Sequence, residues 1–140
     1  MSSMRIRQAA ELLGVSDDTV RRWIDNGTLP ASQDQAGRKV ISGRVLAEFW
    51  RGNAPSPPPN PLRIGSSARN RLVGLVTDVL SDKVMTRVEM QCGPHTIVSL
   101  MSTEAARELK LEPGSLAVAV VKATTVIVET PQAREEPSAD

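Results

Sequence analysis

The chain reads as an α+β protein of two small domains, and three features of its 140 residues carry that reading. Pro55, Pro57, Pro58, Pro59 and Pro61 crowd one stretch, apolar residues recur at helical spacing before it, and short alternating runs separated by turn residues follow it. Each proline fixes φ, lacks a backbone donor and restricts its predecessor, so GNAPSPPPNPLRIGS favours extended polyproline over helix or sheet. The predicted organisation is a helical domain over residues 1–51, this semi-rigid linker over 52–66 and a strand-rich domain over 67–130. The tail, 131–140, reads PQAREEPSAD, has no apolar pattern and is expected to be disordered.

Composition narrows the function classes. Hydrophobic residues make up 40 %, enough for packed cores, but aromatics are 2 %, carried by Trp23, Phe49 and Trp50, so both cores must be mainly aliphatic. No apolar run approaches the roughly 18 residues of a membrane span, and residues 1–7 are polar rather than signal-like, which predicts a cytoplasmic protein with no membrane partner. Cys92 is the single cysteine and forms no intrachain disulfide, in keeping with a reducing compartment. The net charge of +1 is unevenly spread: residues 1–54 hold eight Lys/Arg against six Asp/Glu, and residues 67–130 hold seven of each. Any nucleic-acid contact must therefore come from local placement of cations rather than from a strong overall field.

In the first domain Ile6, Ala9, Ala10 and Leu13 share one face of a short helix that Gly14 ends. Ser16 is a good N-cap for a second helix, in which Val20, Trp23 and Ile24 face inward and which Gly27 stops. Two helices joined by a tight glycine-containing turn have the layout of a helix-turn-helix. The outer face of the second helix keeps Asp17, Asp18, Thr19, Arg21, Arg22 and Asp25. Arginine can donate two bonds to guanine in the major groove and threonine can meet base edges or phosphate, so Arg21 and Arg22 are the first candidates for DNA contact, with Ser16 and Thr19 beside them. The alternative for this face is an ordinary solvated set of charges, with Asp17 and Asp18 favouring the positive end of the helix dipole.

Beyond Gly27 come Leu29-Pro30, a polar stretch through Gln33, Gly37, Arg38 and Lys39 into Val40-Ile41, and a third helix from about Ser42 to Trp50 with Val45, Leu46 and Phe49 inward. The whole segment, RIRQAAELLGVSDDTVRRWIDNGTLPASQDQAGRKVISGRVLAEFW, resembles the winged helix-turn-helix of the MerR/excisionase superfamily, in which G-TLP…GRKVI forms a small wing. That likeness implies double-stranded DNA as partner, with Arg38 and Lys39 reaching phosphates from the wing.

In the second domain the strand candidates are Asn70–Leu80, Val84–Gln91, Thr96–Met101, Leu116–Val121 and Thr125–Glu129, with a short helix, Thr103–Leu109, between the third and fourth. Gly93-Pro94 and Pro113-Gly114 are turn signals. Five strands and one helix predict a small barrel of the oligonucleotide/oligosaccharide-binding (OB) type. About 64 residues give a poor surface-to-volume ratio, and apolar side chains occupy both faces in LVGLV and LAVAVV, so the barrel is expected to form a homo-oligomer, a dimer or larger.

Ser67-Ala68-Arg69-Asn70 at the start of the first strand, Ser102-Thr103-Glu104 before the helix, Leu111-Glu112-Pro113-Gly114 after it and Val121-Lys122-Ala123-Thr124 downstream, in that order, resemble the molybdopterin-binding-protein (Mop, or TOBE) family. The resemblance covers residues 67–130 and implies molybdate or tungstate held at subunit interfaces by Ser67, Arg69, Asn70, Ser102, Thr103, Lys122 and Ala123. The chemistry agrees. Molybdate at neutral pH is a fully deprotonated tetrahedral dianion, so its site needs donors and positive charge and no carboxylates. Phosphate keeps a proton near neutral pH and would miss an acceptor in such a site. The sequence departs from the family at Ala105, where a hydroxyl is common, which removes one donor.

Cys92 and His95 flank a turn as a C-x-x-H pair, but no second pair exists to complete a zinc site, so no metal is expected there. No nucleophile, base and acid set and no phosphate-cradling glycine loop is present, so neither an enzyme nor an organic cofactor is expected. The reading is a molybdate- or tungstate-responsive DNA-binding transcriptional regulator. Two alternatives stay open: an oxyanion storage or buffering protein with a secondary DNA-binding domain, and a DNA-binding protein whose barrel serves assembly alone.

Overall fold

The computed structural model describes residues 3–131, and the predicted disordered tail, apart from its first residue, lies outside them. The chain divides into two compact units, residues 1–56 and 57–140. No helix among the described residues is long and apolar enough to cross a membrane.

The first unit runs β1 (Ser3–Arg5), α1 (Ile6–Leu13), α2 (Asp17–Asp25), β2 (Ser32–Gln33), β3 (Lys39–Ser42) and α3 (Gly43–Asn53). Gly14 ends α1 in the left-handed region at φ 68°, a conformation glycine adopts without steric cost. Two residues later Ser16 caps α2, its hydroxyl accepting from the Thr19 amide at 3.1 Å. The strands form one antiparallel sheet in the order β1-β3-β2. In it β2 and β3 make a short hairpin over the segment expected to be the wing. β1 was not anticipated: three residues carry too little pattern, and their pairing with β3 brings together positions almost forty apart in sequence. The core is aliphatic, with Ala9, Ala10, Leu13, Val20, Leu29, Ile41 and Leu46 around Phe49. Trp23 leans on Phe49 with ring centroids 5.0 Å apart and planes at 54°, a tilted aromatic contact.

The second unit contains β4 (Asn70–Ser81), β5 (Met85–Cys92), β6 (His95–Ser102), α4 (Thr103–Glu108) and β7 (Leu116–Val121). The sheet is antiparallel in the order β6-β5-β4-β7. β4 serves two partners in turn, pairing with β7 over Asn70 to Leu75 and with β5 from Leu75 to Ser81. The register shifts between Val76 and Asp78, a bulge that increases the local twist. Val76, Val88, Met90 and Cys92 form the core, and Leu72, Ile97, Met101, Leu111 and Ala117 pack around it.

Two expectations are corrected here. The segment Thr125–Glu129 is not a fifth strand: Ala123–Thr125 form a short 3-10 turn, and Val126, Ile127 and Val128 follow it exposed. The sheet consequently has four strands among the described residues and is open rather than closed, with β6 and β7 at its edges. The physical reason is that a strand needs an edge to pair with, and the turn after Lys122 carries the chain off β7 instead of folding it back.

The connection from β4 to β5 is tied by Asp82, whose carboxylate accepts from the Val84 and Met85 amides at 2.7 Å each. The Met85 amide above all, with that of Val84, holds the Asp82 carboxyl below its ordinary pKa. A folded-state value depressed below the unfolded one gives a contribution that is full above the unfolded pKa and is lost as pH falls through the folded one. Asp82→Asn is therefore expected to flatten the acid limb of stability below about pH 5, read as the urea midpoint against pH.

Candidate oxyanion site and nucleic-acid face

The residues expected to meet an oxyanion fall into two groups. At the start of β4, Asn70 stands opposite Val121 of β7, and its side-chain amide donates to the Val121 carbonyl at 3.1 Å. That bond joins the SARN segment to the end of β7, so that Arg69 and Lys122 are the residues next beyond the paired Asn70 and Val121. Ser67, Arg69, Lys122 and Ala123 are exposed while Ala68 is buried, so the backbone is anchored and the polar groups stay free. Neither Arg69 nor Lys122 forms an ion pair among the described residues. Unpaired cations and hydroxyl donors are the groups a dianion needs.

Ser102 and Thr103 lie elsewhere. Ser102 ends β6 opposite Met85, at the end of the sheet where β4 finishes and β5 begins. The twelve residues of β4 separate the two groups, roughly 36 Å along a straight strand. The two members of the second group also differ. The Ser102 oxygen accepts from the Ala105 amide at 3.1 Å as the cap of α4, which leaves its own proton available. Thr103 is buried, its amide donates to the Val84 carbonyl at 2.9 Å, and its hydroxyl donates to the Asp82 carbonyl at 2.8 Å. Both protons of Thr103 are thus engaged within the fold, and the residue anchors the helix start. Its sequence position alone could not reveal this, because the partners come from the β4–β5 connection.

On the first unit, α2 presents Arg21 and Arg22 to solvent. Ser16 and Thr19 are engaged with each other: besides the amide bond of the cap, their hydroxyl oxygens lie 2.9 Å apart. Three of the four expected cations have carboxylate partners, Arg21 with Asp18 at 3.5 Å, Arg38 with Asp34 at 3.3 Å and Lys39 with Asp25 at 3.6 Å. Arg22 has none among the described residues. Asp34 was not singled out in the sequence, yet it shapes the hairpin turn. It accepts from the Arg38 and Ala36 amides at 2.9 Å each, and these bonds, led by that of Arg38, hold its carboxyl below the ordinary pKa. The D-x-x-G spacing from Asp34 to Gly37, the latter at φ 79°, was the available signal for such a turn.

Comparisons with known proteins fall on both units. The family model described as a TOBE domain matches residues 66–128, and a helix-turn-helix domain model matches residues 3–54. The chain is 38 % identical over 66 residues to a molybdenum transport protein ModE of Herbaspirillum seropedicae, covering 46 % of this chain and 24 % of that protein. It is 40 % identical over 63 residues to a probable molybdenum-pterin-binding protein of Haemophilus influenzae, covering 44 % of this chain and 91 % of that protein. The chain thus spans about a quarter of the length of the first relative and nearly all of the second. Among solved structures, a molybdate-binding protein from Sporomusa ovata matches at 28 % identity and TM-score 0.46, covering 48 % of this chain and all of that one. MopII from Clostridium pasteurianum matches at 33 % identity and TM-score 0.44, covering 47 % of this chain and all of that one.

Proposed function

Because the chain belongs to the TOBE-domain family through residues 66–128 and carries a helix-turn-helix domain over residues 3–54, we propose that it is a DNA-binding transcriptional regulator responsive to molybdate or tungstate. The observation that carries the oxyanion half is the separation of the two donor groups to opposite ends of β4. One chain does not bring Ser67, Arg69, Asn70, Lys122 and the Ala123 backbone onto the same ion as Ser102, whereas two copies can. The ion then sits between subunits, and binding and assembly become one equilibrium. Homo-oligomer formation is further supported by the open edges of β6 and β7, by Val98, Leu100, Leu116 and Val120 exposed on those strands, and by the exposed run Val126-Ile127-Val128.

The DNA half rests on α2 and the β2–β3 hairpin. Arg22, the unpaired cation, reads bases together with Arg21, while Arg38 and Lys39 of the wing reach phosphates after exchanging their carboxylate partners. Ser16 and Thr19 hold the start of the reading helix and face the backbone of the groove. Arg22→Ala is expected to reduce discrimination between operator and random DNA by roughly 1–3 kcal/mol. Arg38→Ala is expected to weaken binding across all sequences and to flatten the salt dependence by about one unit of slope. Competition gel shifts at several salt concentrations separate the two effects.

A cytoplasmic regulator is distinguished from an oxyanion store by coupling. An ion bound between copies alters DNA affinity only through its differential affinity for two arrangements of the protein. Gel-shift titration with and without molybdate is expected to show a displaced midpoint. Identical midpoints with saturable molybdate binding would assign the protein to storage instead.

A further inference from the structure

A second hollow lies apart from the Ser67 and Lys122 group. It is a solvent-open depression of about 220 Å³ between the end of β4 and the body of α4, mostly apolar through Val79, Ala106 and Leu111, with Ser81, Thr103, Arg107 and Lys110 completing its lining. Arg107 belongs to the last turn of α4. Lys110 follows the helix at φ 53°, the one non-glycine residue at positive φ among the described residues. That conformation closes the helix, with the Leu111 amide donating to the Ala106 carbonyl at 3.1 Å and the Lys110 amide to the Arg107 carbonyl at 3.0 Å. Neither cation forms an ion pair among the described residues, and neither Glu104 nor Glu108 of the same helix lines the hollow.

The hydroxyl groups beneath these cations are oriented by simple proton counting. Thr103 gives its proton to the Asp82 carbonyl at 2.8 Å. The 2.9 Å bond between Thr103 and Thr86 must then carry the proton of Thr86, and the 2.8 Å bond between Thr86 and Ser81 must carry that of Ser81. The relay runs from Ser81 through Thr86 and Thr103 to a backbone carbonyl, and it leaves Ser81 presenting lone pairs. The hollow therefore offers two positive charges and one acceptor.

That combination rejects a fully deprotonated oxyanion, whose every oxygen would face the Ser81 oxygen as one acceptor against another. It matches a tetrahedral anion that retains one proton. We propose that this hollow binds inorganic hydrogenphosphate, with Arg107 and Lys110 on its charged oxygens and its P–OH donating to Ser81 Oγ. A phosphate monoester, with a second pKa near 6, has mostly lost that proton at neutral pH and fits less well.

Calorimetric titration of the full chain at neutral pH with inorganic phosphate, sulfate and glycerol phosphate tests the assignment. Phosphate is expected to bind about tenfold more tightly than either of the others, the worth of one hydrogen bond to a charged group. Ser81→Ala should bring phosphate down to the sulfate level. Arg107→Gln combined with Lys110→Gln should abolish phosphate binding, while Lys122→Gln should leave it intact. Equal affinity for sulfate and phosphate in the parent protein overturns the proposal without any variant having to fold. Phosphate binding that survives the double replacement, or that disappears with Lys122→Gln, overturns it as well.

Discussion

Replacing Arg69 with alanine is expected to weaken molybdate binding by roughly tenfold to a hundredfold, the loss of charge-assisted hydrogen bonds to a dianion. Lys122→Ala is expected to act to a similar degree. Both side chains are exposed and form no ion pair among the described residues, so their removal leaves no buried group unsatisfied and should leave the fold unchanged. Asn70 is different, because its amide holds the end of β7, and Asn70→Ala should lower domain stability as well as affinity. Titration calorimetry paired with thermal melting separates these cases. Arg69→Ala with unchanged affinity would remove the start of β4 from the site. An oligomer that dissociates on the same substitution would link the ion to assembly.

The largest effect on stability is expected at Gly74→Ala. β4 passes so close to the end of β5 that a Cβ there would sit inside van der Waals contact of the Gln91 carbonyl oxygen and 2.7 Å from Cys92 Sγ. The Gln91 carbonyl is backbone and Cys92 is buried in the core, so neither neighbour can swing aside. A cost of about 3 kcal/mol is expected from overpacking, which in a domain of this size lowers the melting temperature by roughly 12–24 °C. Calorimetry should show the second unit melting earlier while the first is unaffected. A melting temperature within a few degrees of the parent would mean that the strands can part at this point without loss.

Much of the first unit was legible because its signals are local. Gly14, Ser16 and Gly27 mark three helix boundaries through backbone conformation and capping, which depend on neighbours in sequence. β1 escaped because its only support is pairing with β3. In the second unit the alternation of β4 to β7 and the two turn signals placed four strands. The segment from Thr125 to Glu129 carries the same β-branched pattern and is not a strand, because pattern records a tendency while pairing requires a free edge in reach. The site divides in the same way. Ser67, Arg69 and Lys122 could be named from residue type and order, since they stay exposed. The commitment of Thr103 to Asp82 arises from a partner that folding alone brings within bonding distance, whereas that of Arg38 to Asp34 lies within one turn whose D-x-x-G spacing signals it.

The carboxylates that hold Arg21, Arg38 and Lys39 also decide how the protein meets DNA in time. Each pair is a local dipole whose field fades within a few ångströms of the surface, leaving little attraction to be felt from afar. Encounters are then set by undirected diffusion, with association rates nearer 10⁵–10⁶ M⁻¹s⁻¹ than the steered limit. In the proposed regulator, occupancy of an operator would be governed chiefly by residence time, which a ligand that rearranges the subunits would lengthen or cut short.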